Sequence, residues 1–180
     1  MNSKRYNWEI WIKNSDKLEK DFNFYLKKEF IKVEKEQKFL SLSHLKKAEY
    51  NLKFVNFLLE NNKFSDWAIA GCYYTIYHCA LALLAKKGYS SKKHNSTLCA
   101  LIKFYYEKSN KGLDEEDLQL ISKSSLDKQE VSYFVEAKQK RELASYGISD
   151  EFNTNEAKEL RKKTIEFINK CREILEWKNS

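Results

Sequence analysis

The chain has no proline and only four glycines in 180 residues. Proline interrupts helices by removing a donor and clashing with the preceding turn, so its absence, with so few turn formers, favours long helices. Alternating apolar and polar runs that end in hairpin turns are missing as well, and almost nothing reads as strand. There is no internal repeat and no low-complexity linker. A Gly-rich phosphate loop and an HExxH motif are both absent. The four cysteines, Cys72, Cys79, Cys99 and Cys171, form no CxxC or Cys/His metal spacing. Cys72 and Cys79 lie two turns apart on one helix, about 10 Å along its axis and too far for a disulfide. They read as buried thiols acting as small apolar residues. A di-iron bundle needs Glu-x-x-His pairs on two helices. The residues three before the histidines are Ser41, Thr75 and Ser91, so neither a metal nor another cofactor is expected. The N-terminal MNSKRYNWEIW has no apolar leader, which points to the cytoplasm.

What the chain does have is charge, with one conspicuous gap. A third of its residues are charged, with a net charge of +7 and a pI near 9.0. That balance suits an acidic partner: RNA, DNA or an acidic protein. From Trp67 to Ala85, however, the run WAIAGCYYTIYHCALALLA carries no formal charge. It is near the length of a membrane span. Its Gly71, three tyrosines, Thr75 and His78 suit a helix buried in protein better, and no membrane association is expected. Ser65 is the expected N-cap, Asp66 suits the first turn, Lys86 and Lys87 suit the last, and Gly88 suits the position just beyond the cap.

Helical spacing runs through most of the remainder. Residues 7–38 carry apolar positions from Trp8 to Val33 three and four apart, as one helix or two joined near Asn23. A second pattern covers 42–60, then Asn61-Asn62-Lys63 leads into the uncharged helix. A further helix is expected over 94–108, followed by a break at Asn110-Lys111-Gly112. Asp114 reads as the next N-cap with a Leu113–Leu118 staple, and the helical stretch runs toward Tyr146, with a break near Ser124-Ser125. Asn153 and Glu156 read as a variant capping box for a last helix whose apolar face runs from Ala157 to Leu175. The expected fold is all-α: an antiparallel bundle of five to six helices over residues 41–180, with a helical arm over 1–40.

Chemistry concentrates in KQKRELASYG, residues 138–147. Arg141 offers phosphoryl oxygens a planar fork, and Tyr146 stands five residues later. The plainer alternative pairs Arg141 with a carboxylate or with the helix end. His78, inside the uncharged run, is either a hydrogen-bonded core histidine or the lining of a polar cleft with Arg141. Asp66 and Tyr73 are the neighbours that could orient it. Lys92, Lys93 and His94 at a helix start form either a phosphate-binding corner or a solvated basic loop. Lys138 and Lys140 add positive charge beside Arg141. His44 carries no special signal.

The stretches DWAIAGCYYTIYHCALALLAKKGYSSKKHNS and RELASYGISDEFNTNEAKELRKKTIEFI resemble the HEPN superfamily (higher eukaryotes and prokaryotes nucleotide-binding). The likeness is to its small prokaryotic members, once filed as uncharacterised family 0332. The first matches an Ala-rich helix with a YY-x-x-[YF]-[HY] core, a KKG turn and a K-[ST]-H-x-[GS] loop. The second matches R-x-x-A-x-Y-G and the acidic-start helix after it. The resemblance covers roughly residues 42–176. It implies a bundle that often dimerises, a small nucleotidyltransferase as partner in toxin–antitoxin or defence modules, and in many members a metal-independent RNase with an R-x4-6-H motif. There the arginine holds phosphate and the histidine moves the proton. Arg141 matches that arginine, but the position five residues on is Tyr146, and no histidine follows His94. A phenol with a pKa near 10 is a poor base at neutral pH. The resemblance therefore implies RNA or a nucleotide as ligand, with Arg141 and Tyr146 as candidate site residues; His78 joins them as the cleft-lining candidate from its place in the uncharged run. A non-catalytic helical adaptor with a degenerate site, gripping a partner through Trp8, Trp11, Phe22 and Phe30, is the alternative.

Overall fold

The computed structural model describes residues 8–35, 37–61, 64–106, 126–146 and 154–176. Among these, seven helices and one small sheet follow in order: α1 (Glu9–Lys13), α2 (Ser15–Lys27), β1 (Ile31–Val33), α3 (Lys38–Glu60), α4 (Ser65–Lys86), β2 (Tyr89–Ser91), α5 (His94–Tyr105), α6 (Lys128–Tyr146) and α7 (Thr154–Glu176). The fold is all-α.

The uncharged run is α4, the central helix. It packs against α3, α5, α6, α7 and β2. It is long and apolar enough to cross a membrane, yet 78% of its apolar window is buried within the protein. Gly71 sets its distance from α3. A Cβ built there would stand 2.6 Å from Val55 Cγ2, so the two backbones approach as only glycine allows. Ser41 Oγ closes the same seam, donating to the Ala82 carbonyl at 2.8 Å. The expected C-terminal signals hold: α4 ends at Lys86, Lys87 is the cap, and Gly88 follows at φ 77°. The start is shifted by one residue. Phe64, at φ 55°, takes the N-cap position, and Ser65 Oγ lies 3.2 Å from Thr154 Oγ1 instead of capping.

The arm departs from the sequence expectation in two ways. Its helical break falls at Asn14, not near Asn23: the Asn14 side chain accepts from Lys17 N at 2.9 Å and caps α2. Its last residues leave the helix and form β1, which pairs antiparallel with β2, Ile31 opposite Ser91 and Val33 opposite Tyr89. The aromatic stripe packs on the chain's own core. Trp11 and Phe22 are buried, and Trp8 and Phe30 pack against the core partly buried. The indole Nε1 of Trp11 donates to Asp21 at 2.8 Å.

The start of α6 carries a reciprocal cap absent from the sequence reading. Glu130 N donates to Asp127 Oδ1 at 2.7 Å, and Asp127 N donates to Glu130 Oε2 at 2.8 Å. The Asn110-Lys111-Gly112 break, the Asp114 cap with its Leu113–Leu118 staple, the Ser124-Ser125 break and the Asn153 cap lie outside the described residues. The apolar face of α7 is buried as its spacing requires, from Ala157 through Leu160, Phe167, Ile168 and Cys171 to Ile174. All four cysteines are buried free thiols. Burial pushes the Cys72 thiol up to about 12, against smaller opposing effects of Thr164 and Arg161.

Candidate functional site

Three helices bring the polar groups together. On α4, Tyr73 and Tyr77 are one turn apart and face α6 and the start of α5. Their rings stack at 5.9 Å, and both lie against Phe134 of α6, at 6.2 and 6.3 Å. His94 is the first residue of α5. Its ring sits 5.3 Å from the Tyr73 ring and 4.8 Å from the Tyr77 ring. The Tyr73 hydroxyl and His94 Nδ1 share a short hydrogen bond. Burial, more than any neighbour, pushes the Tyr73 phenol far above its ordinary value, so the hydroxyl keeps its proton.

Arg141 reaches Tyr73 and the adjacent Tyr74 from α6. Its guanidinium carbon lies 5.9 Å from the Tyr73 ring centre and 5.8 Å from that of Tyr74. Its Nη2 donates to the Tyr74 hydroxyl at 3.3 Å. Arg141 and His94 thus both approach one buried ring. The cations Lys138, Arg141 and Lys93 all act on His94. Burial is the largest cause that lowers its pKa, these cations lower it further, and Glu142 opposes them. The imidazole is held neutral at neutral pH, as a proton acceptor must be.

The candidates from the sequence divide. Arg141, His94, Lys93 and Lys138 come together, and Lys138 also pairs with Glu142 at 3.0 Å. Lys140 sits 3.8 Å from Glu136, the same carboxylate that Lys163 of α7 reaches at 2.6 Å. Lys92 is exposed, and its backbone N–H donates to the Phe30 carbonyl at 3.0 Å. The backbone of Tyr146 closes α6, while its side chain lies outside the described residues. His78 turns toward α3: its Nδ1 is 3.1 Å from Nδ1 of His44. Burial, His44 and Lys47 together bring the His78 pKa down to about 4. Tyr73, read as a neighbour that could orient His78, holds His94 instead. The sequence reading also passed over Tyr74 and His44. A usable signal was present: tyrosines four apart on a buried helix need partners for their hydroxyls.

The HEPN domain family matches residues 41–175. A candidate toxin of Methanocaldococcus jannaschii is 30% identical over 135 residues, 75% of this chain and 81% of that protein. The chain belongs to the HEPN family. A second relative, a family 0332 protein of Pyrococcus horikoshii, is 40% identical over 55 residues, 31% of this chain and 38% of its own length. The HEPN match takes in α3 through most of α7, and so includes Tyr73, His94 and Arg141. Residues 1–40, with α1, α2 and β1, lie outside it.

Proposed function

We propose that this HEPN chain is a toxin-type endoribonuclease that cleaves RNA without a metal, with His94 in the role that the family motif gives to a histidine five residues beyond Arg141. The observation that carries the reading is the meeting of Arg141 and His94 on the Tyr73 ring. The Arg141 fork would hold the scissile phosphate and stabilise the charge that builds on its oxygens. Neutral His94 takes the proton of the adjacent 2′-hydroxyl as its oxygen bonds to phosphorus. The bond from phosphorus to the 5′-oxygen breaks, and that oxygen takes a proton from solvent. The products are a 2′,3′-cyclic phosphate and a 5′-hydroxyl. Lys93 and Lys138 add positive charge around the phosphate.

The likeness to a candidate toxin supports the toxin role. A cytoplasmic homodimer neutralised by a small nucleotidyltransferase completes the proposal. Tyrosine at position 146 favours a second reading, a non-catalytic subunit that binds RNA or a partner through the same surface. Single-turnover cleavage of total RNA separates them. Wild type should cut, Arg141→Ala and His94→Ala should fall by about 100-fold or more, and Tyr146→His should cut at least as well as wild type. Equal cleavage by wild type and both alanine variants would remove the assigned site.

A further inference from the structure

Helices α3 and α6 both pack on α4 but barely touch each other, which leaves a strip of α4 open between them. Trp67 and Tyr74, two turns apart, lie on this strip with 60% and 39% of their surface exposed. Between them is Gly71, and the edge of the Phe54 ring from α3 reaches to 3.7 Å of a Cβ built there. Phe54 is itself 45% exposed. Three rings therefore follow one line, and the line ends at Arg141, whose guanidinium bonds the Tyr74 hydroxyl. Exposed Lys47 stands on the same side of α3, close enough to His78 to lower its pKa.

We infer that the groove between α3 and α6 is a base-stacking track for single-stranded RNA, built from Trp67, Phe54 and Tyr74 and leading into the Arg141 site. The inference rests on the RNA reading above and names the form of RNA taken. Trp67 to Tyr74 spans about 10 Å of helix axis, the length of about three bases stacked at roughly 3.4 Å. Every base presents a π-face, so such a row accepts any sequence but requires unpaired bases. Charge selects this occupant over a second copy of the chain. Lys47, beside His78, and Arg141, on Tyr74, stand at one end of the row, and a polyanion neutralises them, whereas a second copy seated there through the same face would bring like charges together.

A short 2′-O-methyl oligoribonucleotide, which lacks the attacking hydroxyl, separates binding from cleavage. By fluorescence anisotropy, wild type should bind the single strand at least about tenfold more tightly than the same sequence as a duplex. Trp67→Ala and Phe54→Ala should each weaken single-strand binding by about 5- to 150-fold, while Trp67→Phe, which keeps a ring, stays within about threefold. Both positions are exposed, and unchanged thermal melting shows that each variant folds. Unchanged affinity in Trp67→Ala, equal binding of duplex and single strand, or conversion of a dimer to monomers by Trp67→Ala with RNA binding intact would each overturn the track. Cleavage by Arg141→Ala at the wild-type rate, with stacking affinity lost in Trp67→Ala, would remove the catalytic reading and keep the track.

Discussion

Two histidine clusters share α4 and show how differently one buried helix can use the same side chain. On one flank, His94 meets Tyr73, Tyr77 and a group of cations that includes Arg141. On the other, His78 meets His44, ring to ring at 5.3 Å. Burial lowers the pKa in both places. The difference lies in what the second ring nitrogen can do. In the pair, the two Nδ1 atoms engage each other, one as donor and the other as acceptor, so one of the two rings has its proton on Nε2 and cannot take another there. In the other cluster, the tautomer with its proton on Nδ1 donates to the Tyr73 phenol oxygen, which fixes the ring beside an arginine and leaves Nε2 as the acceptor. Proximity to a fixed cation, more than burial, marks the cluster suited to phosphate chemistry.

The largest expected break in this comparison is His94→Ala, which should lower RNA cleavage by about 10²–10⁴-fold, while His44→Ala and His78→Ala stay within about threefold. Equal losses on both flanks would erase the distinction. Next comes Gly71→Ala. Alanine favours a helix by about 1 kcal/mol over glycine, but its Cβ would meet the stiff, fully buried Val55. A net loss of about 1–2 kcal/mol in chemical denaturation is expected, with the His44–His78 pair spread and the His94 cluster kept. Tyr73→Phe removes one hydroxyl and should slow cleavage about 3- to 10-fold. Its acidic limb in the pH–rate profile should shift, which a change of packing alone would not produce. The smallest effect is in stability. His78 titrates near 6.5 in the unfolded chain and at about 4 in the folded one, so the unfolded state binds more protons between those values. Its contribution is present above pH 6.5 and lost as pH falls toward 4, by about 1 kcal/mol once solvent screening of a half-buried ring is allowed for. Denaturation midpoints across that range should show the slope in wild type and a flatter one in His78→Asn.

The sequence carried the bundle well where burial writes a local signature. Helix α4 stood out because nineteen residues without charge call for cover on most sides, and Gly88 marked its end. The face of α7 followed from spacing alone. The two strands escaped because three residues are too few to show alternation, and β1 exists only through β2, some sixty positions away. The break at Asn14 escaped because a single Asn cap looks like any polar residue until its side chain is seen bonding Lys17 N. For the site, Arg141 and the His94 corner were legible as separate residue types. Their meeting was not, since it depends on the rotation of α6 against α4, which no local pattern encodes. His78 drew attention for its rarity in an apolar run, yet the register of α3 against α4 gives it to His44.

The pairing of β1 with β2 has a practical side. Segment 89–94 delivers His94 to the site, and the arm grips it at several points: the ladder from Ile31 to Val33, the Lys92 N–H on the Phe30 carbonyl at 3.0 Å, Ser96 Oγ on the same carbonyl at 3.3 Å, and the Lys93 ammonium 5.7 Å from the Phe30 ring centre. Family likeness begins at residue 41, so a shortened protein cut at that border would look whole by ancestry. It would lack the clasp that sets where its histidine stands. In this molecule the unit that evolution shares and the unit that a bench experiment can use have different edges.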